Sequence, residues 1–258
     1  MEGAGTLTAF WWDDVQSRPA WQQMAIDRAL VDHASVHGTT VYRLYRWTGD
    51  TVSFGANEAA RRTWDRERLE RAELPCVRRP TGGRGVWHDA ADLTYAVTAP
   101  LAAFGDLRLA YRLIHERLAG AFRGLSLDAS VAAAGRRPAT LEPGACFDSA
   151  VGGEVLVAGR KTIGSAQALF GASFLQHGAI ARADRRRALA RFRLASPPEA
   201  SPGPVSELPA LDELGPAILA AWQAAGAVPA PATLTAWADE ASQAYQPRFH
   251  DPEWTWRR

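Results

Sequence analysis

Lysine is almost missing from this chain. Of its 29 Lys and Arg residues, 28 are arginine and only Lys161 is a lysine. A generic solvated cation is therefore written here as Arg, and Lys161 stands apart. Its compact, mobile ammonium can lose its proton when desolvated, which a guanidinium does not do. Cysteine is nearly as scarce: Cys76 and Cys146 are too far apart in sequence for a metal-ligand spacing or a disulfide framework. No run of about 18 apolar residues occurs, so no membrane-spanning helix is expected. The opening MEGAGTLTAFWWDDVQS lacks a basic stretch followed by an apolar one, so no secretory signal is expected either. An excess of one charge is lacking too. A net charge of +1 with 22% charged residues argues against a dedicated nucleic-acid binder. A reducing cytoplasm is the simplest compartment.

What is present is material for a core. At 258 residues and 47% hydrophobic, the chain suits one α/β domain with a helical C-terminal appendage. Residues 20–37 form an amphipathic helix after Pro19, with Met24, Ala25, Leu30 and Val31 inward and Asp27 and Arg28 elsewhere. Val41 to Trp47 alternates as a half-buried strand, Thr48-Gly49-Asp50 turns, and Thr51 to Gly55 returns. Residues 63–73 predict a charged helix capped by Thr63. Strands are expected at 76–79, 85–88 and 93–97, and a helix at 107–124 with Leu109, Leu113, Leu118 and Phe122 inward. Further strands are expected at 126–132, 154–158, 162–167 and 173–180, with a polar basic loop at 135–143. A basic helix over 184–194 leads to a Pro/Ser-rich stretch, two Ala-rich helices at 211–225 and 232–245, and an aromatic tail at 249–256.

Three stretches carry candidate chemistry. In Arg78-Arg79-Pro80-Thr81-Gly82-Gly83-Arg84-Gly85-Val86-Trp87-His88-Asp89, paired glycines between strands let backbone N–H groups approach an anion or carbonyl, beside arginines able to hold a phosphate or carboxylate. An ordinary glycine hairpin with exposed arginines explains the same letters, and the Lys-Ser/Thr pair of a P-loop is missing. Cys146 lies in a loop, Pro143-Gly144-Ala145-Cys146-Phe147-Asp148-Ser149, which favours an accessible thiol, whereas Cys76 reads as a small buried hydrophobe. A Cys–His pairing would take His88 or His177 as base. Lys161 sits in the glycine-bracketed, hairpin-like turn Gly159 to Gly164, followed by Ser165-Ala166-Gln167 and Gln176-His177-Gly178. There the small residues leave room for a ligand, and Gln167 and His177 offer hydrogen bonds.

Taken together and in order, these pieces resemble the lipoate–protein ligase and octanoyltransferase superfamily, whose catalytic domain is related to biotin–protein ligase. The resemblance runs from Met24 to Leu30, through Tyr45 to Gly55 as a first hairpin, Arg78 to Asp89, Leu93 to Tyr95, and Gly159 to Gly178, to the tail from Tyr245 to Trp254. It implies mixed β-sheets flanked by helices, one catalytic domain over 1–258, and a helical appendage from about 205. Ala145-Cys146-Phe147-Asp148 is similar to a segment of the cysteine-type octanoyltransferases. Two departures concern substrate preference: Ser149 to Glu154 lacks the family's Pro and aromatic residue, and Ala168-Leu169 lacks an arginine common there.

The resemblance implies a cytoplasmic acyltransferase of protein lipoylation that needs no cofactor. Cys146 would take the octanoyl group of octanoyl-acyl carrier protein as a thioester and pass it to a lysine of an apo lipoyl domain or glycine cleavage H protein. Lys161 would assist catalysis, while Arg79, Thr81, Gly82, Gly83, His88, Asp89, Gly164, Ser165, Ala166, Gln167 and His177 would bind substrate. The alternatives are an ATP- and Mg-dependent lipoate ligase without the accessory domain, an amidotransferase, and a non-catalytic acyl- or carrier-binding module.

Overall fold

The computed structural model describes residues 8–132, 153–181, 185–195 and 208–258. The chain begins with β1 (Ala9–Arg18), α1 (Ala20–His37), β2 (Thr40–Trp47) and β3 (Thr51–Phe54). Next come α2 (Ala60–Thr63), α3 (Arg66–Arg71), β4 (Cys76–Arg78), β5 (Val86–His88) and β6 (Leu93–Pro100). α4 (Leu107–Gly124), β7 (Ala129–Val131), β8 (Val155–Val157), β9 (Arg160–Lys161), β10 (Ile163–Phe170) and β11 (Ser173–Ile180) follow. The last elements are α5 (Arg186–Ala190), α6 (Leu211–Ala224), β12 (Val228–Pro229), α7 (Ala232–Ser242), α8 (Gln246–His250) and α9 (Pro252–Thr255).

Among the described residues the strands form three sheets. The main one runs β10-β11-β6-β2-β1-β12, with β4-β3-β5 and β7-β8-β9 beside it. This is the expected mixed α/β arrangement. One face of the main sheet packs with α4 and α6 around Tyr95, Ile114, Leu118, Phe122, Ile218 and Trp222. On the other lies α1, through Met24, Ala25 and Val31 against Tyr45, Trp47 and Leu175. The C-terminal segment joins this body directly, because β12 pairs in parallel with β1 and α7 lies along α1.

Several local expectations change for identifiable reasons. The strand at 41–47 is buried on both faces rather than half-buried, since helices cover both sides of the sheet. β3 does not return against β2; it leaves for the second sheet, where Phe54 packs on Trp64 and Trp256. The charged helix starts later: Asp65 caps α3 by accepting from the Arg68 N–H, while Thr63 ends α2. On α4, Leu113 faces outward, and Ala110, Ile114 and His115 turn inward instead. Asp27 is fully buried rather than at the helix periphery. The stretch 9–18, with its Asp13-Asp14 pair, is a strand that its poor alternation conceals.

Candidate functional site

A small cleft lies where the main sheet meets β4-β3-β5. Met24, Tyr45 and Trp47 supply its apolar lining, and Ser53, Arg79, His88, Thr94, Gly164, Ser165, Ala166 and His177 its polar and small walls. Of the residues singled out in the sequence, Arg79, His88, Gly164, Ser165, Ala166 and His177 thus meet in one cavity. The glycine loop arches beside it. Gly55 permits this approach, because a Cβ there would overlap the Gly83 carbonyl, and Gly83 itself has φ of 94°.

Arg79 is a scaffold as much as a lining residue. Its guanidinium donates to the Gly82 and Arg84 carbonyls, each at 2.8 Å, and to the Ser53 carbonyl at 2.9 Å and Oγ at 3.1 Å. Ser53 Oγ, which accepts from Arg79, also meets His88 Nε2 at 2.8 Å. His88 Nδ1 is buried with no hydrogen-bond partner among the described residues. Burial, then the charges of Arg79 and His177, hold His88 well below the usual histidine range. Trp47 stacks on the ring at 4.1 Å.

On the opposite wall, His177 Nδ1 donates to Asp27 Oδ2 at 3.0 Å, and Nε2 faces the Thr81 hydroxyl at 2.6 Å. Asp27 also accepts from Arg43 Nη1 at 2.9 Å and from the Tyr45 hydroxyl at 3.2 Å. Arg43 is completely buried between Asp27 and Asp14, bonds the Gln23 amide oxygen, and lies over the Tyr45 ring. Gln23 and Asp27 are four residues apart on α1, which brings both side chains to one guanidinium.

Ser165 forms a third group, with Tyr95 OH at 2.7 Å and His115 Nε2 at 2.8 Å. His115 Nδ1 donates to the Gly153 carbonyl, and Gln176 donates to Tyr95. Burial above all brings His115 down to about 4; the Lys161 charge works the same way, against the Gly153 hydrogen bond. Gly178 is required here, since a Cβ would overlap Ser165 Oγ and lie 2.7 Å from the Tyr95 ring.

Lys161 lies on β9 rather than in a turn. The turn is Ala158-Gly159, both at positive φ, 48° and 70°. Its ammonium is buried and paired with Glu154 at 2.6 Å. Lys161 does not line the cleft, but its charge acts on His115, which bonds the cleft-lining Ser165. Asp89 is turned away, paired with Arg185 at 2.9 Å and accepting from the Ala91 N–H. Gln167 bonds Gln176 outside the cleft. Burial, with Glu70 adding, pushes the Cys76 thiol up to about 12, as befits a core filler. Cys146 and the basic loop at 135–143 lie outside the described residues.

Sequence reading passed over Asp14, Arg43, Ser53 and His115. Their available signal was polarity inside apolar stretches, such as Arg43 between Tyr42 and Leu44.

The architecture is that of the lipoate–protein ligases. A bipartite lipoate protein ligase of an archaeal lipoylation system, from Thermoplasma acidophilum, superposes with a TM-score of 0.71 at 18% identity, covering 97% of each chain. The chain belongs to the lipoyl protein ligase A/B catalytic domain family, whose model matches residues 19–204. It is similar to octanoyltransferase LipM of Carboxydothermus hydrogenoformans, 37% identical over 163 residues, and of Geobacillus kaustophilus, 39% over 170. The first match covers 62% of this chain and 60% of that protein, the second 61% and 59%. The chain thus spans about three-fifths of the length of the curated relatives it matches.

Proposed function

We propose that this protein is an octanoyltransferase of protein lipoylation working through a Cys146 thioester, with 1–258 acting as one catalytic domain and the segment from about 205 packed on it. The observation that carries the reading is the placement of the only lysine. Lys161 is buried, ion-paired with Glu154 on a short hairpin, and its charge acts on His115, a partner of the cleft-lining Ser165. The relatives named octanoyltransferases, and Cys146 in its Ala-Cys-Phe setting, support the same reading.

In the first half-reaction the Cys146 thiolate attacks the thioester carbon of octanoyl-acyl carrier protein and the carrier thiol leaves. In the second, the ε-amine of a lysine on an apo lipoyl domain or glycine cleavage H protein attacks the enzyme thioester, giving an amide and free Cys146. Lys161 favours the thiolate and stabilises the oxyanion, and the glycine-loop N–H groups hold the acyl carbonyl. Arg79, Thr81, His88, Gly164, Ser165, Ala166 and His177 shape the acyl site, while Asp89 and Gln167 are turned away from it. Transfer between thioester and amide runs downhill without ATP. A cytoplasmic location goes with these substrates.

Intact mass spectrometry tests this. Octanoyl-carrier protein should load one octanoyl group on the wild type and none on Cys146→Ser as a thioester, and an apo lipoyl domain should then discharge it. A fully active Cys146→Ser enzyme, or activity with free lipoate and ATP that survives this change, would overturn the proposal.

A further inference from the structure

Neighbouring side chains on an extended strand leave it in opposite directions. Arg79 turns into the cleft, and Arg78 turns the other way, under the C-terminal segment. There Arg78 meets a second guanidinium. Arg78 Nη1 and Arg257 Nη2 both donate to the Ala56 carbonyl, at 3.3 and 2.8 Å. Arg257 also lies over the Trp254 indole, 3.8 Å from its centroid, and Arg248 lies over the same ring at 5.0 Å. Trp254 is itself pinned, its Nε1–H donating to the Arg78 carbonyl at 3.3 Å. Two exposed guanidinium groups are thus held over one ring, with a third buried next to them.

The carboxylates in reach are already in use. Glu58 accepts from the Gly55 and Gly85 N–H groups and from Trp64 Nε1. Glu253 pairs with Arg61 at 2.9 Å, and Asp251 caps α9 by accepting from the Glu253 N–H. Among the described residues no carboxylate pairs with Arg78, Arg248, Arg257 or Arg258, and Arg78 Nη2 is buried without a hydrogen-bond partner. The crowding is felt. Burial above all, then the Arg257 charge, with Arg258 and Arg79 adding and Glu58 opposing, brings Arg78 down to about 10. Burial and then the charges of Arg258 and Arg248 lower Arg257 too. Like charges held this close raise the energy of the fold until an anion offsets them.

We propose that Arg248 and Arg257, backed by the buried Arg78, form a binding site for a phosphate group on the side of β4 away from the cleft. Each exposed guanidinium offers a planar fork of N–H donors, and phosphate returns several acceptor oxygens and close to two negative charges. A single carboxylate would answer only one of these cations. The bound anion would tie α8, which carries Arg248, to the stretch after α9 that carries Arg257, and would lie beside the buried Arg78 of β4. Inorganic phosphate and a phosphomonoester share this chemistry. The site makes no use of Cys146 or of the cleft, so it stands apart from the transferase reading.

Isothermal titration calorimetry of the full chain at constant ionic strength tests the site. Wild type should bind one inorganic phosphate with a Kd below about 1 mM, and Arg248→Gln with Arg257→Gln should weaken this at least about tenfold. Both side chains are exposed, so the doubly substituted protein should keep its circular dichroism spectrum. Glycerol 3-phosphate, titrated in parallel, separates the two sources: tighter binding than inorganic phosphate assigns the site to an esterified phosphate, and weaker or equal binding assigns it to the free ion. Phosphate should also raise the melting temperature of wild type more than that of the double variant, because the general salt effect is common to both. Absence of saturable binding up to about 10 mM, equal affinity in the double variant, or equally strong competition by acetate would overturn the proposal. Acyl transfer would remain untouched by that failure.

Discussion

Arg43 shows how much one side chain organises. Its guanidinium bonds Asp14 from β1 and Asp27 and Gln23 from α1, so it ties a strand, a helix and its own strand together away from water. Removing one partner of such a network strands the others. Arg43→Met should therefore lower unfolding free energy by about 3–5 kcal/mol, the usual cost of an uncompensated buried charge. Urea denaturation checks this, and a loss below about 1 kcal/mol would mean that Asp14 and Asp27 find other partners. The cleft's lining was legible in the sequence at Arg79, His88, Gly164, Ser165, Ala166 and His177, which meet in one cavity. Asp27 was quoted but sent to the surface, because a single Asp in Met24-Ala25-Ile26-Asp27-Arg28-Ala29-Leu30 looks solvated until Arg43, sixteen positions on, is seen beneath it.

At the scale of elements, the β8–β9 hairpin matters most, because it sets where Lys161 lies. Its turn places Ala158 at φ 48°, which costs a residue with a Cβ, while Gly159 at φ 70° fits freely. Two consecutive positive-φ residues define the turn that favours Asn-Gly. Ala158 is exposed, so Ala158→Asn should stabilise the protein by about 0.5 kcal/mol and leave activity intact. A melting temperature that falls on this change would count against the turn. The bounds of α1, α4 and β11 were readable from the sequence, although β11 is buried along its whole length rather than on one face. Strand partners were not. Thr48-Gly49-Asp50 does turn the chain, but Phe54 follows its aromatic neighbours into the second sheet, and no local pattern records that choice.

The whole molecule should be acid-sensitive well above the carboxylate range. His88 and His115 are both buried neutral, with folded values below the usual 6.5, His115 at about 4. A histidine of depressed folded value contributes stability that is complete above pH 6.5 and lost as pH falls toward the folded value, because the unfolded chain takes up the proton first. His115 alone accounts for at most about 3 kcal/mol of this loss between pH 6.5 and 4. Urea unfolding at pH 7 and pH 4.5 should show His115→Gln losing less stability over that interval than the wild type. An equal loss in both would place the acid sensitivity elsewhere.

One long-range contact bears on how the molecule is made. Arg78, next to the cleft-lining Arg79, is fully buried and donates to the carbonyls of Gly55 and Glu58 on one side and of Trp254 and Thr255 on the other. Two of the five hydrogen bonds its guanidinium donates, with Ala56 also accepting, thus go to residues translated about 176 positions later. Synthesis proceeds from the N-terminus at roughly 5–20 residues per second, with folding in its wake. The β4 strand and its glycine loop therefore wait, with a guanidinium only partly satisfied, until residues 254 and 255 have cleared the ribosome. The cleft's surroundings are completed last, so a nascent chain has no finished site.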